Sequence, residues 1–122
     1  VLSGLGGADV IIGGKGADGL LGGSGNDSFR YLGGETGLDR ILDFTSGQDR
    51  LEIRDSAFAQ TAIIAFEQGG EPAPTTANTT FLYNVNNGIV SVDLDGTGAG
   101  AAIQIAQLNA GLTLTIADFA FF

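Results

Sequence analysis

The sequence predicts an all-β fold, in which short parallel strands wind into coils and then continue into an antiparallel sheet or sandwich region. Three observations support this fold class. Asp9, Asp18 and Asp27 recur every nine residues, and an apolar residue stands two positions after each of them. Further along, alternating segments flank Asn87-Gly88, a dipeptide typical of β-hairpins. No long amphipathic helix pattern appears. A short fixed period of this kind indicates stacked repeats.

Composition limits the chemistry that the chain can use. Its 122 residues suit a single domain, but 21 of them are Gly, and each Gly loses more backbone freedom on folding than any other residue. Another interaction must therefore offset that loss. The chain has no Cys and no His, so disulfides are excluded and the preferred zinc, iron and copper ligands are missing. Oxygen ligands remain.

The charge is strongly negative and unevenly distributed. The formal net charge is −9, with 14 acidic residues against 5 basic ones, and every Lys and Arg precedes residue 55. Binding to nucleic acid or to an anionic membrane is therefore disfavoured, and a cationic partner is favoured. The apolar runs are far shorter than the roughly 20 residues that cross a bilayer, so stable membrane insertion is not expected. The chain begins in mid-pattern without a Sec-type signal, and we expect an N-terminal effector domain to precede it.

The residue types in the nonapeptides have a physical explanation. Residues 4–30 read GLGGADVII, GGKGADGLL and GGSGNDSFR. The last two fit G-G-x-G-x-D-x-U-x, in which U is a large apolar residue, while the first has Leu5 at the second Gly position. Six Gly-rich residues can adopt positive φ and turn backbone carbonyls inward. The carboxylate adds charge, and the resulting ring of oxygens suits a hard cation that takes six to eight of them. The pattern therefore predicts calcium binding.

The remaining three residues of each repeat predict a short strand whose middle side chain points inward. Two nonapeptides then make one coil, so Ile11 and Phe29 share one sheet and Leu20 lies in the other. The turn around Asp9 lies one coil below the turn around Asp27, with a calcium ion between them. The turn of Asp18 is on the opposite side, where its partner must come from residues 35–39.

Competing interpretations of the repeats are weaker. Asp and Gly are common turn formers, so a single repeat would indicate only a turn, whereas three in register favour calcium. Residues 14–19 match the dinucleotide fingerprint G-x-G-x-x-G, but residues 20–25 cannot start a helix and no βαβ pattern surrounds them. Lys15 is not followed by Ser or Thr, which excludes a phosphate-binding loop.

The rest of the chain predicts further strands and turns. Residues 50–54 alternate, with Leu51 and Ile53 inward, and further strands are expected at 62–66, 81–84, 88–94 and 102–108, with a loop at 69–80. Asp39, Asp43 and Asp49 are surface acids, turn formers or extra calcium ligands. The segment 93–98 resembles the start of an EF-hand loop but lacks the third acid and the Glu at the twelfth position, so we interpret it as a turn. Whether Asp93 or Asp95 binds metal stays open.

The whole pattern resembles the RTX family, and in particular the C-terminal module of serralysin-type metalloproteases and related secreted lipases, epimerases and haemolysin-type proteins. The residues that carry the resemblance are the nonapeptides, the segments 39–44 and 47–49, and the later segments 81–84, 93–98 and 117–119. The resemblance implies a parallel β-roll at residues 1–32 and a C-terminal capping region at 33–122, in one continuous domain. It also implies a bacterial, extracellular protein that a type I secretion system exports by an uncleaved C-terminal signal.

The resemblance further implies a set of calcium ligands. The lower turn provides the carbonyls of its second and fourth residues with its Asp, and the upper turn provides those of its first and third with its Asp. In this chain the first site takes its ligands from Leu5, Gly7, Asp9, Gly22, Ser24 and Asp27. On the opposite side Gly14, Gly16 and Asp18 match, and Asp39 or Glu35 completes the site.

Two functions from different classes follow. The first is a calcium-binding module of a secreted RTX protein, in which calcium drives folding and supports type I secretion. The alternative is an accessory module that binds carbohydrate or a cell surface, which exposed aromatics on the sheet of residues 80–108 would favour; only Phe81 and Tyr83 are available there. Catalysis by this chain is not expected, because no His, Cys or Lys base stands near a plausible nucleophile. The parent protein is expected to be a secreted hydrolase such as a metalloprotease.

Overall fold

The fold is built almost entirely from β-strands, as predicted. The computed structural model describes residues 2–32, 37–54 and 65–121. The strands in these ranges are β1 (Leu2–Ser3), β2 (Val10–Ile11), β3 (Gly19–Leu21), β4 (Ser28–Tyr31), β5 (Asp39–Ile41), β6 (Arg50–Ile53), β7 (Ala65–Gly69), β8 (Thr80–Asn84), β9 (Ile89–Asp93), β10 (Ile103–Gln107) and β11 (Phe119–Phe121), and a single 3₁₀ turn spans Ile116–Asp118.

The first six strands alternate between two parallel ladders and form a β-roll. One ladder contains β2, β4 and β6, and the other contains β1, β3 and β5. Ile11 pairs with Phe29 across β2 and β4, while Leu20 lies on β3 in the other sheet. Both sheet assignments drawn from the period are therefore confirmed. The middle residue of each three-residue strand segment, namely Ile11, Leu20 or Phe29, is buried, because it points between the two sheets.

The parallel pairing extends beyond the three nonapeptides. Leu20 pairs with Ile41 on β5, and Phe29 pairs with Leu51 on β6, so β6 also confirms the strand expected at residues 50–54. Both later strands keep the Gly-x-Asp-x-apolar part of the repeat, in residues 37–41 and 47–51. The ladders thus run across residue 32, and the division of the chain at that residue stays a prediction.

The second half of the chain adds an antiparallel region to one of the ladders. Strand β10 pairs in parallel with β5 and antiparallel with β9, and β9 pairs antiparallel with β8. The hairpin expected at Asn87-Gly88 joins β8 to β9, and the loop expected at 69–80 joins β7 to β8. Strand β7 begins at Ala65 and pairs in parallel with β8; residues 62–64 of the expected strand lie outside the described residues.

A single apolar core connects the roll to the antiparallel region. It contains the inward residues of the roll, the inner face of β8 to β10 and the C-terminal strand. Phe119 on β11 stacks on Phe81 with ring centroids 5.0 Å apart and also contacts Phe66, at 5.2 Å. Aromatic contacts of this kind add to the stabilisation from burial alone. The C-terminal strand therefore packs against both halves of the molecule.

Backbone pairing and one buried carboxylate hold the C-terminal segment in place. Strand β11 pairs in parallel with β6 and extends the sheet of the roll. Asp118, which is 2% exposed, accepts hydrogen bonds from Ser46 Oγ at 2.6 Å, from Gly47 N–H at 2.9 Å and from Thr115 N–H at 2.8 Å. Each bond to an ionised group is stronger than a neutral one, so the C-terminal segment is an integral part of the fold.

Candidate calcium sites in the turns of the roll

A column of stacked carboxylates lies along one side of the roll. Asp27 Oδ1 accepts a hydrogen bond from the N–H of Asp9 at 3.0 Å, and Asp49 Oδ1 accepts one from the N–H of Asp27, also at 3.0 Å. Each Asp therefore contacts the backbone of the turn one coil earlier. The expected stacking of the Asp9 turn beneath the Asp27 turn is confirmed.

Two oxygens of this column have no partner. Oδ2 of Asp9 and Oδ2 of Asp27 are buried and lack a hydrogen-bond partner among the described residues, and Asp27 as a whole is only 1% exposed. A buried carboxylate oxygen without a partner costs folding free energy. A hard cation bound between the two turns would remove this cost, and carboxylate oxygens are ligands that calcium prefers. The residues present therefore fit the ion.

The first Gly of each turn makes room for these carboxylates. A Cβ added at Gly4 would clash with Oδ2 of Asp9, and one added at Gly22 would clash with Oδ2 of Asp27. Each carboxylate thus folds back over the start of its own turn, where a side chain would stand. Gly4 was not among the predicted site residues, although its place at the first position of the repeat is a signal that points to it.

Leu5 adopts the conformation of the Gly that it replaces. Its φ is +76°, close to +80° at Gly14 and +88° at Gly23, which hold the same place in the next two repeats. The Leu5 carbonyl accepts a hydrogen bond from Ser24 N–H at 3.1 Å, and the Ser24 carbonyl accepts one from Gly7 N–H at 2.9 Å. A carbonyl oxygen has two lone pairs, so each retains one for a cation. Coordination by the carbonyls of Leu5, Gly7, Gly22 and Ser24 stays a prediction.

The opposite side of the roll repeats this arrangement with Asp18 and Asp39. Oδ1 of Asp39 accepts a hydrogen bond from Asp18 N–H at 2.9 Å, and Oδ2 of Asp18 is buried without a partner among the described residues. A Cβ at Gly13 would clash with Asp39 Oδ2 and would lie 3.4 Å from Asp18 Oδ2, so both carboxylates reach the same small space.

Electrostatics at this second site favour a cation. Burial, and to a smaller extent the Asp18 carboxylate, raise the pKa of Asp39 against the opposing effect of the hydrogen bond from Asp18 N–H. Gly14 and Gly16 have φ of +80° and +94°, the left-handed conformation expected of the turn. Asp39 lies beside Asp18, and its role as a ligand stays a prediction. Glu35, the other candidate, lies outside the described residues.

Asp43 and Asp49 hold the backbone instead of offering free oxygens. The two oxygens of Asp43 accept hydrogen bonds from Gly22 N–H at 2.9 Å and Gly23 N–H at 2.8 Å. Oδ2 of Asp49 accepts one from Thr45 N–H at 2.8 Å, in addition to the bond from Asp27. Each oxygen of these two carboxylates therefore binds an N–H donor, which gives both acids a role in the turns. Whether they also bind calcium stays open.

The described carboxylates alone do not complete the six to eight oxygen ligands of calcium at either site. Within the described residues no three acidic side chains come close enough together to hold a metal ion, so these residues supply two carboxylates at most to each site. This agrees with a turn whose Gly residues bring backbone oxygens inward.

In the same described part of the chain, no helix has the length and hydropathy needed to span a bilayer.

The sheet of residues 80–108 does not display its aromatic side chains. Phe81 and Tyr83 are both fully buried, and the Tyr83 hydroxyl donates to the carbonyl of Asn109. The alternative function as a carbohydrate- or surface-binding module therefore loses the feature that would have favoured it.

Comparison with known proteins agrees with this geometry. No curated protein matches the chain. Residues 1–29 match the family model described as the RTX calcium-binding nonapeptide repeat (4 copies). The matched residues hold the turns of Asp9, Asp18 and Asp27, and Oδ2 of each of these acids is buried without a hydrogen-bond partner among the described residues. The stacked turns and the match together support RTX-type calcium-binding nonapeptide repeats in residues 1–29.

Proposed function

We propose that this chain is the calcium-binding C-terminal module of a secreted RTX protein, and that calcium drives its folding outside the cell. The observation that carries the proposal is the set of buried carboxylate oxygens without partners, on Asp9, Asp18 and Asp27. These oxygens destabilise the folded chain when no cation is present, and they become ligands when calcium arrives. The module itself carries no catalysis, and an N-terminal effector domain supplies the activity of the parent protein.

The free energy available from calcium is large enough to decide whether the module folds. An ion that binds only the folded chain stabilises it by about 2.7 kcal/mol per site at a hundredfold excess over its Kd. Two sites would contribute about twice that, against total stabilities of roughly 5–15 kcal/mol for ordinary domains. In the cytoplasm, where free calcium is low, the carboxylates repel each other and the chain stays unfolded and exportable. Outside, calcium folds it and prevents its return.

The position of the C-terminal segment fits the same order of events. Export by a type I system requires that the machinery read a signal near the C-terminus. In the folded chain, residues 119–121 pair with β6 and Asp118 is buried. A signal in this segment would therefore be readable only before folding. Folding after export would remove it from the machinery, which supports secretion in one direction, to the extracellular medium of a bacterium.

The first experiment is far-UV circular dichroism of the chelated chain during titration with calcium and, separately, with magnesium. Calcium should convert a coil spectrum into a β-sheet spectrum, and magnesium at the same concentration should not, because the smaller ion demands a tight octahedral shell and loses water reluctantly. A spectrum that is already β-rich in chelator and unchanged by calcium would contradict calcium-driven folding.

Secretion is tested separately on the parent chain expressed with its exporter. The double variant Asp9→Ala, Asp27→Ala should lower the amount of protein in the medium, because two turns lose their ligands. A matched control is Glu67→Ala plus Glu71→Ala, which removes the same charge from β7 and the loop after it. Undiminished secretion of the Asp variant would contradict the role in export while leaving calcium binding intact.

A further inference from the structure

An acidic turn outside the roll has a buried carboxylate with one oxygen that lacks a hydrogen-bond partner among the described residues. Asp93 ends β9 and lies opposite Thr80 on β8. Its side chain is 7% exposed, and its Oδ1 is buried with no hydrogen-bond partner in the described part of the chain. The hydroxyls of Thr79 and Thr80 donate instead to the carbonyls of Leu94 and Asn78, each at 2.9 Å.

A second carboxylate shares this space. The carboxylate of Asp95 lies close enough to that of Asp93 to raise its pKa, although Asp95 is exposed to solvent. Burial, and next the neighbouring Asp95, raise the pKa of Asp93, against the opposing effect of hydrogen bonds from the backbone N–H groups of Asp95 and Gly96. The raised pKa reflects the cost of the Asp93 charge in this place. A cation between the two acids would offset the cost of the buried charge. Among the described residues no third acidic side chain joins them, and every Lys and Arg of the chain precedes residue 55.

We propose that the turn from Asp93 to Gly100 binds one calcium ion, with the carboxylates of Asp93 and Asp95 as its protein side-chain ligands. The spacing D-x-D-G-x-G of residues 93–98 matches the first part of the twelve-residue calcium loop, in which positions 1 and 3 are ligands and position 6 is Gly. The exposed side of Asp95 leaves room for water ligands, which calcium accepts readily because its shell is irregular and takes six to eight oxygens.

Hydrogen bonds fix the turn before any ion binds. Thr97 N–H donates to the Thr76 carbonyl at 2.8 Å, Gly98 N–H donates to the Asp95 carbonyl at 3.0 Å, and Gly100 N–H donates to Asp95 Oδ2 at 2.8 Å. A Cβ at Gly98 would clash with that same oxygen. Because the backbone wraps around Asp95, little conformational entropy is lost when a ligand binds.

The affinity should be low. The twelfth position, where a calcium loop has a bidentate Glu, holds the neutral Gln104. Two charges in place of three or four weaken the electrostatic attraction. We therefore expect a Kd on the order of 10⁻⁴–10⁻³ M, the range of extracellular calcium modules. An ion of that affinity would bind outside a cell and not in the cytoplasm.

The test is a calcium titration of the 122-residue chain followed by amide NMR. The amides of Gly96, Gly98 and Gly100 report the turn, and those of Gly14 and Gly25 report the nonapeptides in the same spectra. Above the calcium level that folds the chain, the three turn amides should shift with an apparent Kd on the order of 10⁻⁴–10⁻³ M. Asp93→Asn should weaken that response at least tenfold, whereas Glu71→Gln, which removes one charge from the neighbouring loop, should leave it unchanged.

The possible outcomes separate the two proposals. Turn amides that stay fixed up to about 10 mM calcium, tenfold above the weakest extracellular sites, would overturn the turn site, and so would an unchanged response in Asp93→Asn. Amides that move with pH but not with calcium would show that the two acids share a proton. If Asp93→Asn does not fold, the exposed Asp95→Asn decides in its place by the same criterion. Nonapeptide amides that ignore calcium while the turn responds would contradict only the function proposed for the roll.

Discussion

Replacement of Asp27 by Asn should change stability in opposite directions with and without calcium. Asp27 is 1% exposed; its Oδ1 accepts a hydrogen bond from Asp9 N–H at 3.0 Å, and its Oδ2 has no partner among the described residues. The Asn variant can keep the first contact, because its Oδ1 is still an acceptor. It replaces only the second oxygen, and with it the negative charge.

The expected changes in the free energy of unfolding follow from the two carboxylate oxygens of Asp27. Without calcium, removal of an unpaired buried oxygen relieves about 1–3 kcal/mol, and the lower figure applies because the new amide group also lacks a partner. With calcium, a hundredfold loss of affinity at a hundredfold excess of the ion lowers the stabilisation from about 2.7 to about 0.4 kcal/mol. The variant should therefore be more stable by about 1 kcal/mol in chelator and less stable by about 1 kcal/mol in calcium.

Urea unfolding followed by circular dichroism measures both values. The chelator series contains sucrose, which strengthens apolar burial and keeps a folded baseline. Asp49→Asn is the matched control, one coil above, since both of its oxygens bind N–H donors; its free energy of unfolding should fall by about the same amount in both series. If Asp27→Asn lost the same free energy with and without calcium, Oδ2 of Asp27 would not be a metal ligand and the reasoning would be refuted.

Three further changes test other contacts. Leu5→Gly should raise stability by about 0.5–1 kcal/mol, because relief of a left-handed conformation exceeds the entropic cost of Gly. Leu5 is also 77% exposed, so little burial is lost with its side chain. The control Leu5→Ala keeps the strain and should show no gain in melting temperature. Gly25→Ala should cost more than Gly16→Ala, because both have positive φ but only at Gly25 would the new Cβ clash with a carbonyl of the turn below; equal melting temperatures would contradict this. Ser46→Ala should lower the free energy of unfolding by about 1–2 kcal/mol, and Asp118→Ala should lower it by about 3 kcal/mol or more. The first variant removes one hydrogen bond and the second removes three. Equal losses in urea unfolding would contradict a structural role for the buried carboxylate.

The nine-residue period was enough to predict the roll. It placed Ile11 and Phe29 in one sheet and Leu20 in the other, and it stacked the Asp9 turn beneath the Asp27 turn. These features depend on residues close together in the chain, because Gly at fixed offsets sets the turn and the next three residues set the strand. The hairpin at Asn87-Gly88 was predictable for the same reason.

The roles of chemically identical side chains depended on contacts between distant segments. Asp27 and Asp43 are both acids beside Gly-rich turns, yet Asp43 binds the backbone of Gly22, 21 residues away, while Oδ2 of Asp27 lacks a partner. Likewise the position of Phe81 in the core follows from its stacking on Phe119. Local pattern specifies turns and strand faces, but burial and hydrogen-bond partners are fixed only when the register between segments is set.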